Sequence, residues 1–131
     1  MKKSPEGVTL IELIIVIIIV GVLATMGLSQ LFGPREQAVT REALVNLKLI
    51  AAAEKIYRLE QTFYVNTSDT NQTNWYLRLS LPRTRPNWNY KVTSAGANSF
   101  VGKAGRVPSN SPTWCINESS EEPYNTSCTW P

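Results

Sequence analysis

The chain has no histidine and only two cysteines among its 131 residues, and no Asp or Glu cluster at ligand spacing. A transition-metal site or a histidine general base therefore has nothing to be built from. No nucleophile and base pair is evident either, so no catalytic residue, metal site or cofactor is assigned and an enzyme is not expected. Charge is absent from residues 13–34, and acids are absent between Asp69 and Glu118. That second interval instead collects Arg78, Arg83, Arg85, Lys91, Lys103 and Arg106. The net charge of +3 is small, so its distribution is the informative part.

As a helix, the charge-free run would rise about 33 Å, close to the roughly 30 Å hydrocarbon thickness of a bilayer. Lys2 and Lys3 precede it, which under the positive-inside tendency keeps the N-terminus in the cytoplasm and sends the chain after Pro34 outward. A secretory signal peptide is the competing reading. Against it, Ala24-Thr25-Met26 is a poor cleavage site, the apolar run is long, and Glu12 stands at its start. A carboxylate entering a membrane is expensive unless it has a specific partner.

Gly7-Val8-Thr9-Leu10-Ile11-Glu12-Leu13, followed by the apolar Ile14 to Ala24 run, resembles the N-terminal signature of type IV prepilins and type II secretion pseudopilins. The resemblance implies cleavage after Gly7 by a prepilin peptidase and N-methylation of Val8. It also implies assembly of a homo-oligomeric helical filament on an inner-membrane platform. Thr9, Leu10, Ile11, Glu12 and Leu13 would take part in subunit assembly, with Glu12 facing the terminal ammonium of a neighbouring subunit. The alternative for Glu12 is a solvated helix-start acid favoured by the dipole. The chain departs from the family in Pro5-Glu6 before the glycine, in Val8 where Phe is common, and in the late Gly33-Pro34. Gly21, Gly27, Gly33 and Pro34 are places where the helix can bend or unwind, since Gly weakens and Pro interrupts the hydrogen-bond ladder.

Helix-forming residues resume after Pro34 and run to about Gln61 without Gly or Pro. Val45, Leu49, Ala52, Ile56, Leu59 and Phe63 recur at helical spacing, which predicts the face that packs on a sheet. Ala43, Leu44, Leu47 and Ala51 form a second strip, either a widening of that core face or a contact with neighbouring subunits. An unbroken rod from Val8 to Gln61, about 80 Å long, is too long for so small a head to bury alone. Identical contacts that do not close into a ring yield an open helical polymer.

Residues 62–74 read as a polar loop, and Trp75 to Leu81 as a short strand or a turn of helix. Trp88 to Val92 and Ser99 to Ala104 read as strands joined through a turn at Gly96, with further short strands at Thr113 to Ile116 and Thr126 to Trp130. Cys115 and Cys128 enclose 12 residues on the side where thiols oxidise, and a disulfide is expected. It resembles the disulfide-bounded C-terminal region of many type IV pilins.

The predicted fold is therefore α+β. A long N-terminal helix, transmembrane in its first half, packs by its second half on a small antiparallel sheet. The expected divisions are a leader at 1–7, a transmembrane and filament-core helix at 8–34, its amphipathic second half at 35–61, and a head at 62–131. The expected location is the inner membrane as a single-pass precursor, then an extracellular pilus or a periplasmic pseudopilus. Three functions remain open: a pilus subunit for adhesion, motility or DNA uptake, a type II secretion pseudopilin, and a nucleic-acid-binding minor pilin. The last would use the basic stretch with Trp75, Tyr76, Trp88 and Tyr90 to track phosphates and stack on bases.

Overall fold

Thr9 starts the first helix by accepting the backbone N–H of Glu12 on its hydroxyl at 3.3 Å, an N-cap bond of the kind Thr supplies well. The computed structural model describes residues 7–28, 32–84 and 86–130. In chain order its elements are α1 (Leu10–Leu28), α2 (Phe32–Gln61), α3 (Thr70–Leu77), β1 (Trp88–Thr93), β2 (Val101–Arg106) and β3 (Thr113–Asn117). They fall in two compact units, Met1–Ala38 and Val39–Pro131.

In the first unit α1 is apolar on every side, and its large side chains from Leu10 to Leu23 are all exposed. Gly21 and Gly27 lie inside α1 as continuous helix. Among the described residues no helix is long and apolar enough to cross a membrane. The span expected over 13–34 lies partly outside the described residues, which omit 29–31. α2 begins at Phe32, earlier than expected, so Gly33 and Pro34 occupy its first turn. Proline is tolerated there, because a first-turn N–H has no intrahelical partner to lose.

The second unit is a three-stranded antiparallel sheet in the order β1-β2-β3, with the later part of α2 packed on it. The pairing aligns Tyr90 with Ala104 and Gly102 with Ile116. Ala43, Leu47, Ile50 and Ala51 of α2 enter one core with Trp88, Tyr90, Val92, Phe100, Ala104 and Ile116. Gly102 allows this close approach: a Cβ there would stand 3.1 Å from Ile116 and 3.5 Å from Ile50. Trp88 Nε1 donates to the Val39 carbonyl at 2.8 Å and Asn46 Nδ2 to the Tyr90 hydroxyl at 2.9 Å, fixing helix to sheet with satisfied polar groups.

The face of α2 against the sheet is the reverse of the one expected. Val45, Leu49, Ile56, Leu59 and Phe63 are exposed, Leu59 by 86%, and Ala52 is exposed too. The strip built on Ala43, Leu47 and Ala51 takes the core. Two residues along a helix is about 200°, so strips offset from 45 to 47 lie on opposite sides, and periodicity alone does not choose between them. The choice follows from fit: small Ala43 and Ala51 and the bond from Asn46 suit the sheet, and Glu54 on the same side accepts from Val65 N in the segment that follows α2.

Three further expectations are corrected. Part of the supposed loop is helical, because Asp69 caps α3 by accepting from Gln72 N at 2.8 Å while Gln72 Oε1 accepts from Ser68 N at 3.0 Å. Thr73 and Leu77, one turn apart, bury that helix against β1. In the β1–β2 turn the positive φ belongs to Ser94, at 53°, and not to Gly96, whose carbonyl accepts from Tyr64 N at 2.8 Å. Residues 125–130 form no strand; Tyr124 itself bridges to Cys115.

Candidate assembly surfaces

At the N-terminal end Gly7, Val8 and Thr9 lead directly into α1, and Val8, Leu10, Ile11 and Leu13 are exposed. The Thr9 hydroxyl also lies 3.5 Å from Glu12 Oε2, so Thr9 and Glu12 address each other across the first turn. This S/T-x-x-E spacing is a local helix start and keeps the acid at the positive end of the helix dipole. The Glu12 carboxylate remains exposed at the edge of an otherwise apolar surface.

On α2 the outward strip of Val45, Leu49, Ile56 and Leu59, continued just past the helix end by Phe63, forms a second uncovered apolar surface. Exposed apolar side chains at helical spacing are unlike isolated surface leucines, and such continuity marks interaction faces. Its partner strip is occupied by the chain's own sheet.

The structure bonds Cys115 to Cys128, with Cα atoms 5.8 Å apart. That bond anchors the C-terminal tail over the sheet. Lys103 Nζ donates to the Thr129 carbonyl at 2.9 Å, and Lys91 Nζ lies 4.1 Å from the centre of the Trp130 ring. Burial and the neighbouring Lys103 charge both lower the Lys91 pKa. The Trp130 ring also lies against Gly105, where a Cβ would come within 2.7 Å of it.

The basic stretch is not one continuous face. Arg78 and Arg83 are exposed, Arg85 lies outside the described residues, and Arg106 sits over the Trp88 ring at 5.4 Å. Of the four aromatics expected to stack on bases, Trp88 and Tyr90 are core residues, 1% and 0% exposed. Only Trp75 and Tyr76 stand outside. The acidic segment is also engaged within the chain: Glu122 pairs with Lys48, and Glu118 accepts from Phe100 N at 3.2 Å.

One buried polar residue was not singled out from the sequence. Glu54 is fully buried on the sheet-facing strip of α2. Its spacing of seven from Leu47 and four from Ile50 is the signal that places it there. Tyr90 is shifted too, its hydroxyl pKa pushed up to about 12 by burial.

Comparison with known proteins agrees with this geometry. Residues 2–28 match the family described as the prokaryotic N-terminal methylation motif. Over 103 residues the chain is 30% identical to the type IV wide pilus major component PilA4 of Thermus thermophilus, covering 79% of this chain and 75% of that protein. Over 66 residues it is 35% identical to the type II secretion system core protein G of Pseudomonas aeruginosa, covering 50% of this chain and 46% of that protein. The Escherichia coli core protein G is 34% identical over 63 residues, 48% of this chain and 43% of its own length. The chain thus spans about half the length of the secretion proteins it matches.

Proposed function

Because the chain belongs to the type IV pilin and type II secretion pseudopilin family and is a pilus-like structural subunit, we propose that it is cut after Gly7, methylated at Val8 and polymerised through α1. The observation that carries this is the Gly7 to Leu13 motif running straight into a helix whose apolar side chains are exposed all round. Such a helix requires lipid before assembly and sister helices after it. The precursor is then a single-pass inner-membrane protein with its N-terminus in the cytoplasm. Residues 1–7 are the leader, 8–34 the membrane and filament-core segment, 35–61 the amphipathic half, and 62–131 the head.

Glu12 pairs with the methylated terminal ammonium of a neighbouring subunit, and Thr9, Leu10, Ile11 and Leu13 form the surrounding contact. A paired carboxylate in an apolar core sets register more than it adds strength. Gly21, Gly27, Gly33 and Pro34 give the helix places to bend during assembly. The outward strip from Val45 to Phe63 packs on sister subunits. The prepilin peptidase and the inner-membrane assembly platform are the processing partners, and no enzymatic role is assigned. Nucleic-acid binding is the weakest reading, since two of its four aromatics are in the core.

The similarity to core protein G supports a second reading, a periplasmic pseudopilus for secretion. Intact mass in membrane and sheared-filament fractions distinguishes the two. A species lacking residues 1–7, one methyl heavier, is expected in sheared fibres. The same species confined to the envelope favours the pseudopilus, and an uncut chain overturns the processing claim.

A further inference from the structure

We propose that the head carries a groove beside α3 that binds a short neutral oligosaccharide. Two clefts, of about 390 and 340 Å³, adjoin at Asn71 and Arg83, which line both. Trp130 lines the first cleft and Trp75 the second. Trp75 is 81% exposed although the helix that carries it is anchored by Thr73 and Leu77, so the packing among the described residues does not account for an indole at that position. Trp130 is held in place from several directions: by the bond at Cys128, by Lys91, and by the Gly105 backbone against its ring.

The polar groups that line the Trp130 cleft select the ligand class, and two of them, Asn71 and Arg83, also line the Trp75 cleft. Among the described residues Asp69, Asn71, Arg83 and Asn89 offer one acid, one base and two amides, donors and acceptors whose formal charges balance. Planar amide and guanidinium groups suit adjacent hydroxyls, and an indole face or edge suits the apolar C–H face of a sugar ring. The floor is rigid, since Asn89 Nδ2 donates to Asn110 Oδ1 at 3.1 Å. A nucleic-acid strand would require several cations along its backbone. Lys91 and Lys103 are directed to Trp130 and Thr129 instead. The inference depends on the head alone, so it holds for a pilus or a pseudopilus.

The test uses the full chain in a detergent without a sugar headgroup. Chitotriose, maltotriose and cellotriose are offered by saturation-transfer NMR and calorimetry, with a thymidine 20-mer as the competing probe. Saturable binding of at least one trisaccharide is expected, unchanged by added salt. Trp75→Ala and, separately, Arg83→Ala should each weaken it by about fivefold or more, the scale of one aromatic contact. Both positions are exposed, so unfolding curves matching the parent will show that the fold is intact. The proposal is overturned if none of the three sugars binds, if neither substitution alters binding, or if only the 20-mer binds and does so in a salt-dependent way.

Discussion

Glu54, fully buried on α2, accepts the backbone N–H of Val65 on its Oε2 at 3.0 Å. The bond closes the chain reversal after α2, where Thr62 adopts φ 71° and donates its N–H to the Arg58 carbonyl at 2.7 Å. A β-branched residue in that conformation is costly, so the reversal needs external support, and Glu54 supplies some of it from beneath. Its other oxygen, Oε1, is buried without a hydrogen-bond partner among the described residues. Burial raises the Glu54 pKa from 4.5 to about 7 against the opposing pull of the Val65 bond.

A group raised in this way makes stability depend on pH in a definite direction. Below pH 4.5 both folded and unfolded states hold the proton, and burial costs nothing extra. Between 4.5 and about 7 the unfolded state ionises first, so stability falls as pH rises, then levels off. The whole drop is about 3 kcal/mol. Glu54→Gln keeps a carbonyl acceptor for Val65 and removes the titration. Denaturant unfolding of parent and variant at several pH values should show the variant gaining on the parent across that window. Parallel curves would refute the assignment.

The two strips of α2 predict opposite outcomes for neighbouring substitutions. Leu47→Ala cuts into the core and should cost about 2–5 kcal/mol. Leu49→Ala is on the outward strip and should stay within about 0.5 kcal/mol in unfolding experiments. Leu49→Lys, equally tolerated by the fold, should reduce the yield of sheared filaments sharply. If Leu49→Lys leaves assembly intact, that strip is not a subunit interface.

The sequence made the architecture legible wherever one period had one explanation. The β1–β2 hairpin and the β3 strand follow from strand-like patterning, and the expected Cys115–Cys128 bond is present. α2 was legible as a helix but not in orientation, because apolar strips on opposite sides give the same period. Glu54 went unread for a related reason: a carboxylate on a helix is ordinarily solvated, and only the neighbouring loop makes its burial affordable. The polar segment before Trp75 hid a helix because Asn, Thr and Ser signal loops unless an Asp cap precedes them. Trp130 was read as the end of a short strand that does not form, since its site on Gly105 depends on a bond 13 residues in span.

Loss of the disulfide should loosen the tail before it loosens the sheet. Closing a loop of this separation, 13 residues, is worth about 3 kcal/mol in the chain-entropy model. The sheet keeps its pairings among β1, β2 and β3 without the bond, whereas Thr129 and Trp130 lose their anchor at Cys128. Cys128→Ser should therefore lower the unfolding midpoint and speed hydrogen exchange first around Tyr124 and Cys115. Exchange that accelerates uniformly through β1 would show that the bond supports the whole head.

Gly105 provides the sharpest test of how the tail lies on the sheet. A Cβ at that position would meet Trp130 Cε3 at 2.7 Å and Asn110 at 2.9 Å, whereas one at Gly96 meets nothing within 4 Å. Gly105→Ala must push the indole aside or shift the β2 backbone, and should cost about 1–3 kcal/mol. Gly96→Ala should be nearly neutral. Trp130→Ala removes the larger obstacle, so adding it to Gly105→Ala should cost less than Trp130→Ala costs alone. That non-additivity, measured by a double-mutant cycle in unfolding experiments, reports the contact directly. Strict additivity would mean that Trp130 does not rest on Gly105 in solution, and the first cleft would then lose the wall that Trp130 provides.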